Sequence, residues 1–467
     1  MSAPGRATVT ASTAPTGQTG PNGLIGLDVG TTRVKAVAFD LDGAALGTAE
    51  VPTPWQRSAA GVEMAAPDLA EAVRTVLVRA CAPLSRVIGL GVTGMGESGV
   101  LTTGTGPGTG SLSEADQVAL APIRAWHDLR GDVRTIEDRL GAKAFESAIG
   151  MPLNPQPSLP KILTLRTEYP PALAARRFWS IPEWVVRLLG GHPGSELSLA
   201  SRTGLLDVLD ATAWSGAREL LGIDLLGEPR PADTPCGEAL GLDGAPALAG
   251  AVLAVGGHDH QCAALAVGAA RHGTLFDSLG TAEALLRFAD AGSIGREVVA
   301  TLTAAGLTVG RTVVEGRMCI LAGLRTGMEL ERLAADLGAT TRDQRAALAD
   351  RPEWVTAVRD AVRGAEAALQ AIEDAAGPYT AVLAAGGWLH DRAVLAAKRE
   401  QLPGLRITGL DEAGATGAAY LAGVAAGVLP PTRDLDRPPW SVDPAPPTHP
   451  DPVHPDTRDH SDREVPR

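Results

Sequence analysis

The chain has 467 residues, a formal net charge of −13, 45% hydrophobic residues and 20% charged ones. That composition supplies ample material for a buried core and rules out disorder throughout. No run of about 18 apolar residues occurs, which rules out a membrane-spanning helix, and the acidic balance argues against nucleic acid or an anionic membrane as the main partner. At roughly 150 residues per domain the length allows three ordinary domains or two large α/β ones. Cys81, Cys236, Cys262 and Cys319 are widely spaced with no CxxC pair, which fits neither a zinc site nor a disulfide scaffold. Residues 1–22 are rich in Ser, Thr, Ala, Gly and Pro without an apolar signal-peptide core, so they read as a disordered tail and the cytoplasm as the location.

In chain order, 24–27, 34–39 and 44–51 read as strands joined by tight turns, an antiparallel meander. Residues 67–83 have helical periodicity, with Leu69, Val73, Val76, Leu77 and Ala80 on one face. A strand at 87–92 runs into the glycine-rich loop 93–99, and 102–118 reads as a flexible insertion. A Pro-, Gly- and Ala-rich stretch at 228–250 marks a domain boundary. Beyond it come a strand at 251–255, a helix over about 261–270, and strands at 274–276 and 282–288 around a turn at 277–281. Helices at 322–337 and 353–376 precede a strand at 381–385. From Pro430 onward Pro, Asp and His dominate, and the chain reads as a second disordered tail. The expected organisation is therefore a domain at 23–248 and a domain at 249–429 between tails 1–22 and 430–467.

Two segments look alike. Leu27-Asp28-Val29-Gly30-Thr31-Thr32 and Phe276-Asp277-Ser278-Leu279-Gly280-Thr281 each join an apolar strand, an Asp, a Gly-Thr turn and another apolar strand. Such pairing suggests two related domains facing across a cleft. Glycine lets the backbone approach a phosphate, and Thr hydroxyls and turn amides donate to it. An Asp beside such a site calls for a divalent cation, which makes Asp28 a candidate for Mg²⁺ held through water. A plain β-turn explains the same residues equally well.

Gly256-Gly257-His258-Asp259-His260-Gln261 lies between a strand and a helix. Asp259 there is either an N-cap or a general base acting on a substrate hydroxyl. His258 and His260 lack the i,i+4 spacing of a helical metal pair. Cys262 reads as a small buried residue. Glu97 sits in a loop too rich in glycine for a helix face. Trp126-His127-Asp128-Leu129-Arg130 combines an aromatic wall with fork-shaped polar groups, a mixture that suits a sugar, or else a surface turn with ion pairs. Gly386 and Gly387 end a strand where a nucleotide base or ribose could lie on the backbone. No GxxxxGK[ST] and no strand-linked GxGxxG occurs, which disfavours P-loop and Rossmann nucleotide binding.

Taken in order, these pieces resemble the FGGY family of carbohydrate kinases, of the actin–hexokinase–Hsp70 superfamily, over 24–427. Gly26 through Lys35 is similar to its first phosphate motif and Asp277 through Thr281 to its second. The segment 257–261 is similar to the one bearing its catalytic Asp. Glu315-Gly316 with Ala322-Gly323 resembles the stretch before its nucleotide-pocket helix, Ala384-Ala385-Gly386-Gly387 its adenosine motif, and Gly414 to Ala419 its closing helix.

The resemblance implies two ribonuclease-H-like (actin-like ATPase) domains, each a mixed β-sheet flanked by helices, with a cleft between them. It implies ATP-dependent phosphorylation of a sugar or polyol hydroxyl, with ATP and Mg²⁺ required. Asp259 would be the general base and Asp28 would support Mg²⁺. Gly30, Thr31, Thr32, Lys35, Gly280, Thr281, Gly323, Gly386 and Gly387 would contact the nucleotide. Glu97, Trp126, Asp128, Asp259 and His260 would line the sugar site. It implies a small-molecule substrate, neither nucleic acid nor membrane, and is compatible with a homodimer. The loop at 94–98 lacks the Gln-Met-His of xylulose kinases and shares only its Glu with glycerol kinases. The region after Leu337 is short, which keeps a non-catalytic sugar or nucleotide sensor on the same fold as the alternative.

Overall fold

The computed structural model describes residues 20–106, 119–432 and 440. Most of the two expected tails and most of the expected insertion at 102–118 lie outside the described residues.

Two six-stranded sheets carry the fold. The first contains β1 (Asn22–Val29), β2 (Arg33–Phe39), β3 (Ala45–Pro52), β4 (Arg86–Gly94), β5 (Pro235–Glu238) and β6 (Val252–His258), in the order β5-β6-β4-β1-β2-β3. The second contains β7 (Thr274–Leu279), β8 (Glu283–Asp290), β9 (Thr308–Arg311), β10 (Arg317–Leu324), β11 (Ala381–Ala385) and β12 (Leu405–Ile407), in the order β9-β10-β8-β7-β11-β12. Both follow one plan. A central strand pairs antiparallel with the strand after it, which pairs antiparallel with a third, and on its other side two strands run parallel. The short turns at 30–32 and 280–282 impose the antiparallel half, and helical crossovers supply the parallel half.

β1 is apolar on both faces because it is central: Leu24, Ile25, Leu27 and Val29 are all fully buried. The helix Ala413–Ala425, near the end of the described chain, returns to this sheet and packs on β1, β4 and β6. Glycines make that approach close. A Cβ on Gly26 would collide with the Ala415 carbonyl oxygen, and one on Gly91 with that of Ala418. The helix thereby sets its first turn against the C-terminal end of β1, where Asp28 lies.

Four expectations need correction. The strand after 250 joins the first sheet, paired with β4, rather than opening the second. β7 continues through Asp277, Ser278 and Leu279, expected to be a turn, because Asp277 is fully buried beside a lysine. Residues 322–324 end β10 in register with β8, so the helix expected from 322 starts at Thr326. The helix expected over 353–376 is two, Pro352–Arg363 and Glu366–Ala376, broken at Gly364 and Ala365. A helical insertion between β4 and β5 has its own core around Phe145, Ile149, Leu159 and Ile162. Among the described residues no helix is long and apolar enough to cross a membrane.

Candidate active site

Asp259 opens the helix Asp259–Ala266 directly after β6. The backbone N–H of His258 donates to Ser198 Oγ at 2.9 Å, and that hydroxyl donates to Glu196 Oε2 at 2.6 Å. Gly257, at φ 97°, passes so close that a Cβ there would lie 2.6 Å from Ser198 Oγ. Asp259 Oδ1 accepts the His260 backbone N–H at 2.6 Å and lies 3.1 Å from His258 Nδ1. Burial disfavours its charge, but the imidazoles of His260 and His258 and these hydrogen bonds outweigh it and hold the carboxyl well below the usual range. The side chain keeps 24% exposure, so an ionised carboxylate faces open space.

Asp28 faces the same region from the end of β1. A Cβ on Gly414, in the first turn of Ala413–Ala425, would lie 2.8 Å from Asp28 Oδ2 and 3.9 Å from the Asp259 carbonyl oxygen. Asp28 Oδ1 is buried with no hydrogen bond. Burial, and then the charge of Asp259, push its carboxyl up to about 7 against the pull of Lys35. An orphaned carboxylate oxygen beside a second carboxylate suits a divalent cation, so the residues present fit Mg²⁺. Among the described residues no group of three or more His, Cys, Asp or Glu is placed to hold a metal ion. Lys35 is paired with Glu412 at 3.0 Å, just before the same helix.

The turn after Asp28 is locked from behind. Gly30 and Thr32 carbonyls accept from Thr53, the Thr31 carbonyl from Trp55 Nε1, and Thr31 Oγ1 from Trp126 Nε1 at 2.8 Å. One hydroxyl thus joins the expected phosphate loop to the expected sugar wall. Asp128 points elsewhere: its oxygens accept from Val62 N–H and from the backbone and guanidinium of Arg130. Burial opposes its charge, but these contacts bring the carboxyl down to about 2. It fastens its own loop.

Glu97 is buried at φ 59°, an uncommon backbone state for a non-glycine residue. Its Oε1 accepts from Arg202 Nε at 2.8 Å, from Arg202 Nη2, and from Gln156 Nε2 at 3.2 Å. Arg202 Nη1 also donates to Thr308 Oγ1, on β9. Gly96 brings this pair to the catalytic segment, since a Cβ there would lie 3.0 Å from Arg202 and 3.1 Å from His258. Behind them Lys161 is buried and donates to the carbonyls of Trp126, Pro155 and Gln156. Burial lowers its pKa to about 8.

In the second half, a cavity of about 440 Å³ is bounded by Gly280 and Thr281 on one side and by Gly387, Trp388, His390 and Asp391 on another. Glu331, Arg345 and Ala346 complete its wall, with the Arg345 guanidinium 4.9 Å from the Trp388 ring centroid. Gly386, at φ 123°, is adjacent to this cavity and not in its lining; a Cβ there would strike the Leu279 carbonyl. Gly323 is exposed on β10 and does not line the cavity either. Under the Gly280–Thr281 turn, Lys398 bonds to Glu283 and lies 3.0 Å from Asp277, all three fully buried.

Sequence reading missed Glu196, Ser198, Arg202, Gln156, Lys161, Trp388 and Lys398. One signal was available: the chain has only four lysines, and Lys161 stands between apolar residues on both sides.

Two sheets of one plan, one ending in paired carboxylates and the other in a glycine-bounded pocket, define a two-domain α/β kinase fold of the actin-like ATPase kind. The chain belongs to the FGGY family of carbohydrate kinases: the model of that family's N-terminal domain matches residues 24–266. An autoinducer-2 kinase from Salmonella choleraesuis (strain SC-B67) is 25% identical over 270 residues, 53% of this chain and 48% of that protein. The match thus spans about half the length of the curated relative. Among solved structures, a xyloylose kinase from Brucella ovis aligns with TM-score 0.75 at 19% identity, over 89% of this chain and 93% of that one. A gluconate kinase from Lactobacillus acidophilus aligns with TM-score 0.76 at 16% identity, over 88% and 91%. At these identities the structures establish the fold.

Proposed function

We propose that the chain transfers the γ-phosphoryl group of ATP to a hydroxyl of a sugar or polyol. The observation that carries this reading is the ionised, partly open Asp259 held beside Asp28 at the first turn of one helix. The first half, up to about residue 248, binds the acceptor with Glu97 and Trp126, joined by His260 from the helix that follows β6, and the second binds the nucleotide in the pocket at Gly280, Thr281 and Gly387. Asp259 takes the proton of the acceptor hydroxyl as its oxygen attacks the γ-phosphorus, and the bond to the ADP oxygen breaks. Asp28 would hold Mg²⁺, which when bound would supply neutralisation of the phosphate charge. Backbone amides of Thr31, Thr32 and Thr281 bind phosphate oxygens without a basic surface, while the Gly30 and Gly280 amides close the turns by donating to Arg33 and Ala282 carbonyls, which reconciles a net charge of −13 with a polyanionic ligand. The autoinducer-2 and xyloylose kinases direct the search toward short multi-hydroxyl carbonyl compounds.

The test is ADP release measured with a panel of pentuloses, hexuloses and polyols. Stimulation by one of them is expected. Protein that binds ATP yet releases ADP with none of them would overturn the kinase reading in favour of a sensor.

A further inference from the structure

His258 ends β6 and is buried beside Asp259, and proton transfer through Asp259 alone gives its ring no task. Its Nδ1 is enclosed and has no aligned hydrogen bond. Buried polar nitrogens are seldom left in that state. Asp259 Oδ1 lies 3.1 Å from it. The ring is held from several sides. Ser198 Oγ accepts the His258 backbone N–H, and Thr93 Oγ1 donates to the Gly257 carbonyl at 2.6 Å, which fixes the strand end. Gly96 makes room for the ring, since a Cβ there would lie 3.1 Å from His258 Cδ2. The His260 ring stacks against it, with centroids 5.7 Å apart and planes inclined by 27°. The charged groups around it are Asp259, Glu196 behind Ser198, and Arg202 with Glu97 across Gly96. The His260 backbone N–H reaches the same Asp259 Oδ1 at 2.6 Å, so both contacts converge on one carboxylate oxygen.

An ionised carboxylate only accepts, so a ring nitrogen that bonds to it presents Nδ1–H. Resting on the kinase reading, we propose that His258 is a positioning residue for the base: its Nδ1–H aligns on Asp259 Oδ1 when the acceptor binds, and Oδ2 is thereby left to take the acceptor's proton. Contacts that orient a base are commonly misaligned until substrate arrives. The proton moves from the acceptor hydroxyl to Oδ2 while Nδ1 keeps its own, so His258 orients the base without exchanging a proton with it. One strand end therefore carries both the base and the group that aims it.

The experiment compares the full chain with two variants. His258→Leu removes the N–H and keeps apolar bulk; His258→Asn keeps an N–H near the place of Nδ1. Turnover is read by ADP release with D-xylulose, D-fructose, xylitol and D-glucitol, and nucleotide binding by calorimetry with ADP. His258→Leu should lower turnover by about 10–10²-fold, with the KM for ATP and the ADP affinity within about twofold of wild type. His258→Asn should recover most of that loss. A Leu variant with wild-type turnover, or an Asn variant as slow as the Leu variant, overturns the inference and leaves the kinase reading standing. A second measurement needs neither turnover nor a folded Leu variant. Nitrogen NMR of the histidine side chains in the wild-type protein, with the His258 signal identified by its loss in His258→Asn, reads which ring nitrogen carries the proton. Nδ1–H is expected; a bare Nδ1 overturns the inference whatever the protein's activity. Wild-type protein that binds ADP yet releases none with any acceptor overturns the kinase reading, and with it the role of His258 toward a base.

Discussion

Ser198 Oγ accepts the backbone N–H of His258, one residue before Asp259, at 2.9 Å. The loop that carries the proposed base is therefore fastened to a segment some 60 residues earlier, where Glu196 caps the single helical turn Leu197–Ala200. Neither Glu196 nor Ser198 touches the reacting atoms in this reading; both position the loop.

Ser198→Ala should leave the His258 N–H buried without an acceptor and cost about 1–3 kcal/mol. Turnover should fall by about tenfold while the KM for ATP stays near its wild-type value. Urea unfolding and steady-state kinetics on one preparation separate the two effects. Unchanged turnover would show that the loop is held without this bond.

Burial pushes the Glu196 carboxyl up to about 7 despite its three hydrogen bonds. Its folded pKa thus lies above its unfolded one, near 4.5. The stability it contributes is complete below about pH 4.5 and is lost as pH rises through 7. Asp28 and Asp277, also raised to about 7, act in the same direction. The unfolding free energy should fall between pH 5 and pH 8. Glu196→Gln should remove about 2–3 kcal/mol of that fall, which denaturation at stepped pH values would detect as a shallower slope.

Among the described residues Lys398 is the one cation in contact with two fully buried carboxylates, Asp277 at the end of β7 and Glu283 at the start of β8. These residues flank the Gly280–Thr281 turn. Lys398→Met strands both negative charges and should destabilise the fold by about 3–5 kcal/mol. Adding Asp277→Asn should recover part of that loss. In protein that still folds, the KM for ATP should rise more than turnover falls. A single variant as stable as wild type would exclude the ion pairs as the support of this turn.

The meander at 24–51 was legible because its turns are short and its strands apolar, and the repeated Asp–Gly-Thr pattern pointed to two halves of one plan. The position of Asp259 at a strand–helix junction was legible for the same local reason. What local pattern hid was set by long-range contact. Asp277 reads as a turn residue until Lys398, over 100 residues away, makes a strand end habitable for it. Asp128 reads as a sugar ligand until Arg130 and Val62 fill its lone pairs. Arg202 and Ser198 lie in a stretch with no motif, and only the return of β6 to the first sheet brings them to the site.

Trp388 offers the proposed nucleotide pocket a flat face, with Arg345 over the ring and the glycines of 280 and 387 bounding the space. Trp388→Ala should raise the KM for ATP by about tenfold, corresponding to the 1–3 kcal/mol of a lost stacking surface, with little change in acceptor KM. Fluorescence or calorimetric titration with ADP reads the same loss without turnover. An unchanged nucleotide affinity would place the base elsewhere.

Asp259→Asn keeps an oxygen that can accept the His260 N–H but removes the proton acceptor. Turnover should drop by about 10²–10⁴, the range of general base catalysis, while ADP affinity and thermal unfolding stay close to wild type. Because the histidines hold this carboxyl below the usual carboxylate range, the wild-type rate should show no acid limb from Asp259 above pH 5. If the pH–rate profile falls below pH 7, Asp28, raised by burial and by Asp259 itself, is the group to examine, and added Mg²⁺ should move that limb to lower pH. An Asp259→Asn protein with full activity would remove the general base from the mechanism while leaving the nucleotide pocket intact.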